Sequence, residues 1–198
     1  MQFITFSGVD GSGKSTQLQL LKTKLEQAGN KVAYFHAVEF SLASRLKKNV
    51  TKKTGTEKAV TTASRSTLFL RKIFLIIDLF RFRFHVSALF KEGYTHLLSD
   101  RYFYDTIINI EYLGKRGYHL STFTSCLLTK PNKAFYFDLA PEAIMARERV
   151  PEQGIEYLRD KMKLFKKKIT GWDMVIVDGN KDQSSIFQDI LKELDTLQ

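Results

Sequence analysis

The sequence has little cysteine and proline, and it has no long apolar segment without charges. One residue of 198 is cysteine and three are proline, so an intramolecular disulfide is excluded and a proline-rich linker is not expected. The most apolar stretch, Leu68 to Phe90, carries too many charged side chains for a membrane-spanning helix. We expect it to form a long core or interface helix with some polar side chains directed towards a site.

The single cysteine, Cys126, lies in a segment without a partner pattern for nucleophilic chemistry. We therefore expect it to be buried among apolar residues. One cysteine suits a reducing compartment, and no basic-then-apolar signal segment comes before the first apolar run. Together these features predict a cytoplasmic protein without a transmembrane segment.

Acidic residues are the scarcer charged class, with 21 aspartates and glutamates against 31 lysines and arginines, for a net charge of +10. A positive field raises the local concentration of anionic substrates such as nucleotides. It would also attract nucleic acid or an anionic membrane. No nucleic-acid-binding module or aromatic-basic stacking motif is recognisable, so nucleic acid is the less favoured partner. Most lysines, including those between 47 and 58, are expected on solvated faces.

Apolar runs of strand length alternate with helical segments along the whole chain. The strand-like runs are Phe3–Ser7, Lys31–Val38, Tyr94–Ser99, Ala134–Leu139 and Met174–Val177. Helices are predicted over Lys14–Ala28, Phe40–Val50, 63–91 (as one or two helices), 104–113, 121–129, from Pro141, and over Ser184–Leu197, with a mobile loop over 51–62. This alternation predicts one α/β domain over residues 1–198, a parallel sheet with helices on both faces. Ligands bind such sheets at the carboxyl ends of the strands.

Residues 8–15 read Gly-Val-Asp-Gly-Ser-Gly-Lys-Ser, a complete phosphate-binding loop motif. A strand precedes the motif and a helix follows it, so backbone N–H groups can converge on phosphate oxygens. Lys14, expected to be solvated without nucleotide, can reach the terminal phosphates, and the Ser15 hydroxyl can coordinate Mg²⁺. The predicted nucleotide-phosphate site comprises Gly8, Asp10, Gly11, Ser12, Gly13, Lys14, Ser15 and Thr16.

Asp100 and Arg101 directly follow the third strand-like run. They should therefore lie at the same sheet edge as the phosphate-binding loop. A carboxylate there can hold the hydration shell of Mg²⁺ or position the attacking group, and the guanidinium fork suits a phosphate. A structural salt bridge at a strand end would show the same two residues, so the pair alone leaves both interpretations open.

Three segments taken together resemble the thymidylate kinase family, part of the P-loop nucleoside monophosphate kinases: Phe6–Gln17, Ser99–Tyr102 and Pro141–Arg147. With Val177–Gly179, the resemblance extends over most of the chain. It implies transfer of the γ-phosphate from ATP, with Mg²⁺, to a nucleoside monophosphate, with dTMP giving dTDP as the first expectation. It also implies a homodimer formed through the helical region over 63–92.

The resemblance further implies roles for individual residues. Lys14 would contact the donor phosphates, and Ser15 and Asp100 would support Mg²⁺. Asp10 would face the acceptor sugar. Asp100 and Arg101 would lie beside the acceptor phosphate.

Two further roles follow from the same resemblance. An arginine of the preceding helix would also bind the acceptor phosphate, and Arg81 is the best-placed match, with Arg83 as the other choice. Gly11 occupies the region where some members carry a catalytic arginine. The extra positive charge would then come from a short lid near 147–154, with Arg147 and Arg149 as the catalytic candidates.

The acceptor side departs from the family pattern. Residues 35–40 contain no arginine where the family usually carries an Arg-Glu-Pro-Gly-like element. In Phe103–Ile110, Thr106 keeps a hydroxyl group while Asp105 introduces a negative charge, which makes Asp105 a candidate acceptor contact. Because unpaired buried polar groups are costly, such changes alter which acceptor a site accepts. The alternative hypothesis is a thymidylate kinase-like enzyme for a different small phosphorylated or hydroxylated acceptor.

Overall fold

A computed structural model describes residues 1–45, 63–114, 124, 126–146 and 154–195. In these parts of the chain, five apolar segments form one sheet: β1 Gln2–Ser7, β2 Val32–Phe35, β3 His96–Asp100, β4 Lys133–Asp138 and β5 Met174–Asp178. The strand order is β2-β3-β1-β4-β5, and every neighbouring pair is parallel. The predicted α/β fold with a parallel sheet is therefore confirmed.

Helices fill the connections between the strands. They are α1 Lys14–Gln27, α2 Ala37–Phe40, α3 Arg65–Lys91, α4 Phe103–Leu113, α5 Pro141–Met145, α6 Gly154–Lys166 and α7 Gln183–Asp195. The segment predicted as one or two helices is a single 27-residue helix, α3, whose first turn is capped by Ser64 Oγ accepting from Thr67 N. A 3₁₀ turn, Thr170–Trp172, leads into β5.

The three central strands, β1, β3 and β4, are buried on both faces of the sheet, as is typical of parallel strands covered by helices. Alternate residues of β1 point to opposite sides, so Phe3 packs with the core under α3 and α4, while Ile4 and Phe6 pack under α1 and α7. The first core contains Phe82 and Phe103, whose rings lie 5.5 Å apart at their centroids. These two cores hold the sheet rigid and fix the loops at its carboxyl edge.

The segment after β2 differs from the prediction. The strand predicted to reach Val38 ends at Phe35, and α2 begins at Ala37, whose N–H donates to the Arg101 carbonyl at 3.0 Å. This bond turns the chain off the sheet early. Phe40, predicted to start a helix, ends α2 instead; residues 42–45 are helical again after an extended Ser41. The rest of the predicted Phe40–Val50 helix, the 51–62 loop and most of the 121–129 helix lie outside the described residues.

Cys126 is exposed, so the expectation that it is buried was wrong. Residues 124 and 126 are both helical, and Thr124 is buried. Because side chains two positions apart on a helix point to different sides, burial of Thr124 turns Cys126 towards solvent.

None of the described helices, including the long helix α3, is both long and apolar enough to cross a membrane.

Candidate active site

The phosphate-binding loop follows β1 and takes a backbone shape that glycine permits. Gly8, Gly11 and Gly13 have φ values of 143°, 83° and 97°, in the region that L side chains rarely adopt. A Cβ on Gly8 would lie 3.0 Å from the Phe137 carbonyl oxygen, and one on Gly11 would lie 2.9 Å from Ile144 Cγ2. The loop is therefore pressed against β4 and α5, and α1 starts directly from it at Lys14.

Lys14 is folded back onto its own loop. Its Nζ donates to the Val9 carbonyl at 2.7 Å and to Ser12 Oγ at 3.2 Å, and the residue is only 4% exposed. The expectation of a solvated lysine was therefore wrong, because a carbonyl of the loop is within reach of the ammonium group. Burial lowers the pKa of Lys14, and the nearby Asp105 and Asp100 carboxylates oppose that shift.

Ser15 and Asp100 meet at the edge where β1 and β3 end. Ser15 Oγ donates to Asp100 Oδ2 at 2.5 Å, and Asp100 Oδ1 is buried without a hydrogen-bond partner in the described part of the chain. A buried acceptor without a partner is costly unless a ligand satisfies it. A hydroxyl and a carboxylate are oxygen ligands that Mg²⁺ accepts, so the pair fits the predicted metal role. No group of three or more His, Cys, Asp or Glu able to hold a metal occurs among the described residues.

Asp10 and Arg101 form an ion pair between the loop and the end of β3. Arg101 has φ 65°, a left-handed conformation unusual for an arginine. Its N–H donates to the Phe6 carbonyl at 2.9 Å, and its own carbonyl accepts from Ala37. Two backbone bonds therefore hold the strained residue in place, and its guanidinium is fixed beside the loop.

A cavity of about 380 Å³ lies next to this ion pair. The loop forms one wall with Gly8, Val9 and Asp10, and Arg101 extends it. The remaining walls come from four other parts of the chain: Val38, Ser41, Ala43 and Ser44; Arg71 and Leu75 of α3; Asp105, Thr106, Asn109, Ile110 and Leu113 of α4; and Tyr157, Lys161 and Phe165 of α6. The cavity is large enough for a small ligand and touches the phosphate-binding loop directly.

Asp105 lines this cavity and also holds the loop. Its Oδ2 accepts from Ser7 Oγ at 2.6 Å and its Oδ1 accepts from Gly8 N at 3.3 Å. Burial raises the pKa of Asp105, while Lys14 and the hydrogen bond from Ser7 act in the opposite direction. Asp105, predicted from the sequence as an acceptor contact, therefore also holds the start of the phosphate-binding loop, which the sequence did not indicate.

The two arginines predicted for the acceptor phosphate do not line the cavity. Arg81 Nη1 donates to Asp78 Oδ1 at 2.5 Å and to the Phe40 carbonyl at 3.3 Å. Arg83 Nη2 donates to the Leu127 carbonyl at 3.2 Å. The arginine of α3 that lines the cavity is Arg71, which the sequence analysis did not select.

Lys161 and Tyr157 are two further cavity residues that sequence reasoning missed. Lys161 Nζ donates to the Tyr157 hydroxyl at 2.7 Å. Their spacing of four places them on one side of α6 together with Phe165, and that amphipathic spacing is the signal that could have found them. Arg147 and Arg149, the predicted lid arginines, lie outside the described residues.

The parallel sheet carries a phosphate-binding loop at its carboxyl edge, beside a cavity lined by cationic side chains. This combination defines the class of P-loop kinases. The model of the family described as thymidylate kinase matches residues 6–190. The chain belongs to that family, and it is accordingly an ATP-dependent phosphotransferase of the nucleoside monophosphate kinase class.

Individual relatives agree with the family match. The thymidylate kinase of Thermosipho africanus is 25% identical over 211 aligned positions, which cover 95% of this chain and 94% of that protein. The thymidylate kinase of Citrifermentans bemidjiense is 67% identical over 30 residues, 15% of this chain and 13% of that protein. The crystal structure of thymidylate kinase from Ehrlichia chaffeensis superposes with a TM-score of 0.62 at 19% identity, covering 98% of both chains. That last likeness supports the fold.

Proposed function

We propose that this protein transfers the γ-phosphoryl group of ATP to the phosphate of dTMP, giving ADP and dTDP, with Mg²⁺ as cofactor. The proposal rests on one observation, which is that the phosphate-binding loop and the cavity share a wall. The phosphate-binding loop supplies Gly8, Val9 and Asp10 to the cavity that would receive the acceptor. A donor phosphate on the loop and an acceptor phosphate in the cavity would therefore meet beside Asp10 and Arg101.

Phosphoryl transfer needs positioning and neutralisation of charge more than covalent participation by the protein. Lys14 would leave the Val9 carbonyl to contact the donor phosphates. Ser15 and Asp100 would hold Mg²⁺, which screens the charge of those phosphates when bound. Arg101, oriented by Asp10, presents a fork of N–H donors suited to the acceptor phosphate.

Turnover with a panel of acceptors tests this proposal. Purified protein is incubated with ATP, Mg²⁺ and each nucleoside monophosphate, and with small phosphorylated metabolites as a second set, and ADP and phosphorylated products are quantified. We expect dTMP to give the highest kcat/KM. A metabolite preferred over every nucleotide would support the alternative acceptor instead, and absence of turnover with all of them would contradict the kinase assignment.

The exposed face of α3 supports a homodimer as the working form. Phe69, Ile73, Ile77, Phe80 and Phe84 follow one another at helical spacing, and all are exposed, Phe84 to 77%. A continuous apolar stripe of this kind is costly in water, and a two-fold axis lets one stripe cover another copy of itself. We propose a second copy of this chain as its occupant.

Sedimentation of charged variants measures this association. Ile77→Asp should convert a dimer to a monomer, because it places a carboxylate in the stripe. The matched control is Ile176→Asp on β5, which changes an isoleucine of comparable exposure outside the stripe. A monomeric parent protein, or equal sedimentation of all three proteins, would contradict the proposed dimer.

A cytoplasmic location also fits the proposed function, because ATP is available there and one cysteine needs no oxidising compartment.

A further inference from the structure

Lys161 is a basic residue of the cavity that has no carboxylate partner among the described residues. Its Nζ donates to the Tyr157 hydroxyl, and no described carboxylate lies within 4.0 Å of it. An ammonium group has three N–H donors, so the bond to Tyr157 leaves two of them for a ligand. Arg101 differs, because Asp10 already pairs with it.

Two cations and one carboxylate lie close enough to Lys161 to influence its charge. Arg101 and Lys14 disfavour its positive charge, Asp105 favours it, and Tyr157 is the neutral neighbour on its own helix. Asp105 is itself engaged by Ser7 and Gly8. An anion that enters the cavity next to Lys161 would therefore stabilise its charged form, and a phosphate monoester carries up to two negative charges near neutral pH.

We propose that Lys161 is an acceptor-binding residue, which receives the acceptor's phosphate in the cavity alongside Arg101. The inference rests on the proposed function, since it names a contact of the same acceptor. It assigns to α6 a basic residue on the acceptor side of the site, in the described part of the chain.

Proton uptake is the measurable consequence of this placement. Burial, with Arg101 and Lys14, lowers the pKa of Lys161 to about 7. Much of the free enzyme is then neutral at Lys161 above pH 7, whereas an adjacent phosphate anion favours the charged form. Binding must therefore add a proton from solvent to the amine. The acceptor KM should rise about tenfold for each pH unit above 7, until the pKa of the complex is reached.

Two substitutions separate this effect from the others in the site. Lys161→Arg keeps a cation whose pKa exceeds 12, so its acceptor KM should stay low and nearly constant from pH 7 to pH 9. Lys161→Gln should raise the acceptor KM about tenfold or more at pH 6.5 and also remove the pH dependence. Lys163→Gln, two residues along α6 and exposed, is the matched control and should behave like the parent protein. Saturating ATP keeps the titration of Lys14 out of the measured KM.

Calorimetry gives a second measurement that needs no turnover. Binding of dTMP is measured at pH 8 in two buffers of different ionisation enthalpy. The parent protein should take up close to one proton more than Lys161→Arg, and the phosphate contributes little because its second pKa lies near 6. Identical proton uptake and pH profiles in the two proteins, or an unchanged KM in Lys161→Gln, would overturn the role of Lys161. Binding of dTMP without turnover would instead contradict the proposed kinase reaction and leave Lys161 standing.

Discussion

Replacing Asp78 with alanine should destabilise the wall of the acceptor cavity. Asp78 is 1% exposed within α3, and its carboxylate accepts from Leu42 N at 3.1 Å and from Arg81 Nη1 at 2.5 Å. The first bond ties the segment after α2 to α3. Ser41, Ala43 and Ser44 of that segment line the cavity, so the carboxylate supports a wall that it does not itself form.

The cost can be worked out from the two lost bonds. Removing the acceptor leaves the Leu42 N–H without its partner, which costs about 1 to 3 kcal/mol. Arg81 is one-third exposed and keeps the Phe40 carbonyl and the Phe40 ring, so losing its ion pair adds only about 1 kcal/mol. Together these give a loss of about 3 kcal/mol in the free energy of unfolding. For a chain of this length, that lowers Tm by about 6 to 12 °C.

Thermal and urea unfolding of Asp78→Ala and Asp78→Asn measure the two contributions. The asparagine variant retains an acceptor for Leu42 N and loses only the charge, so it should fall by about 1 kcal/mol. The acceptor KM should rise in the alanine variant more than in the asparagine variant, while the ATP KM stays unchanged in both. Equal destabilisation by the two substitutions, or a loss below 1 kcal/mol for alanine, would refute the reasoning.

Three other outcomes are expected. Lys14→Met should reduce kcat by at least about 100-fold without lowering stability, because burying the ammonium group costs folding free energy. Because the unfolded chain binds that proton more tightly, the free energy of unfolding of the parent protein should rise with pH from the lowered pKa of Lys14 up to pH 10.5. Lys14→Met has no such titrating group, so its free energy of unfolding should lack this rise, and denaturation at several pH values compares the two slopes. Arg101→Ala should raise the acceptor KM about 100-fold and leave the ATP KM near its parent value, and a matched rise in both would argue against an acceptor role. The Cys126 thiol should react with a disulfide reagent in the native protein as fast as in denaturant; protection in the native state would contradict its exposure.

The fold was largely predictable because it depends on patterns within short windows. Five apolar runs alternate with helical segments, and the three that form the central strands are buried on both faces of the parallel sheet. The errors fall where a distant contact decides a boundary. β2 ends at Phe35 because Ala37 donates to Arg101, and nothing within the local sequence indicates that bond.

The phosphate-binding loop and the cavity also differ in how far the sequence predicts them. The donor half is one contiguous motif completed by Asp100 at a strand end, so its place in the fold follows from the sequence, whereas the burial of Lys14 does not. The acceptor cavity is assembled from several separate parts of the chain, and the orientation of each helix decides which side chain reaches it. Arg81 was selected as the best match to an arginine of the family's preceding helix, but α3 turns Arg71 towards the cavity and Arg81 towards Asp78.

Asp105 contacts both parts of the proposed site, the phosphate-binding loop and the cavity. The carboxylate that forms part of the acceptor cavity also accepts from Ser7 and Gly8 at the start of the donor loop. An acceptor that draws Asp105 towards itself loosens these two bonds, and an acceptor that leaves Asp105 in place keeps the loop braced. Any change that the acceptor makes in ATP affinity by this route must be returned by ATP as an equal change in acceptor affinity. One side chain would thus couple the affinities for the two substrates through the loop.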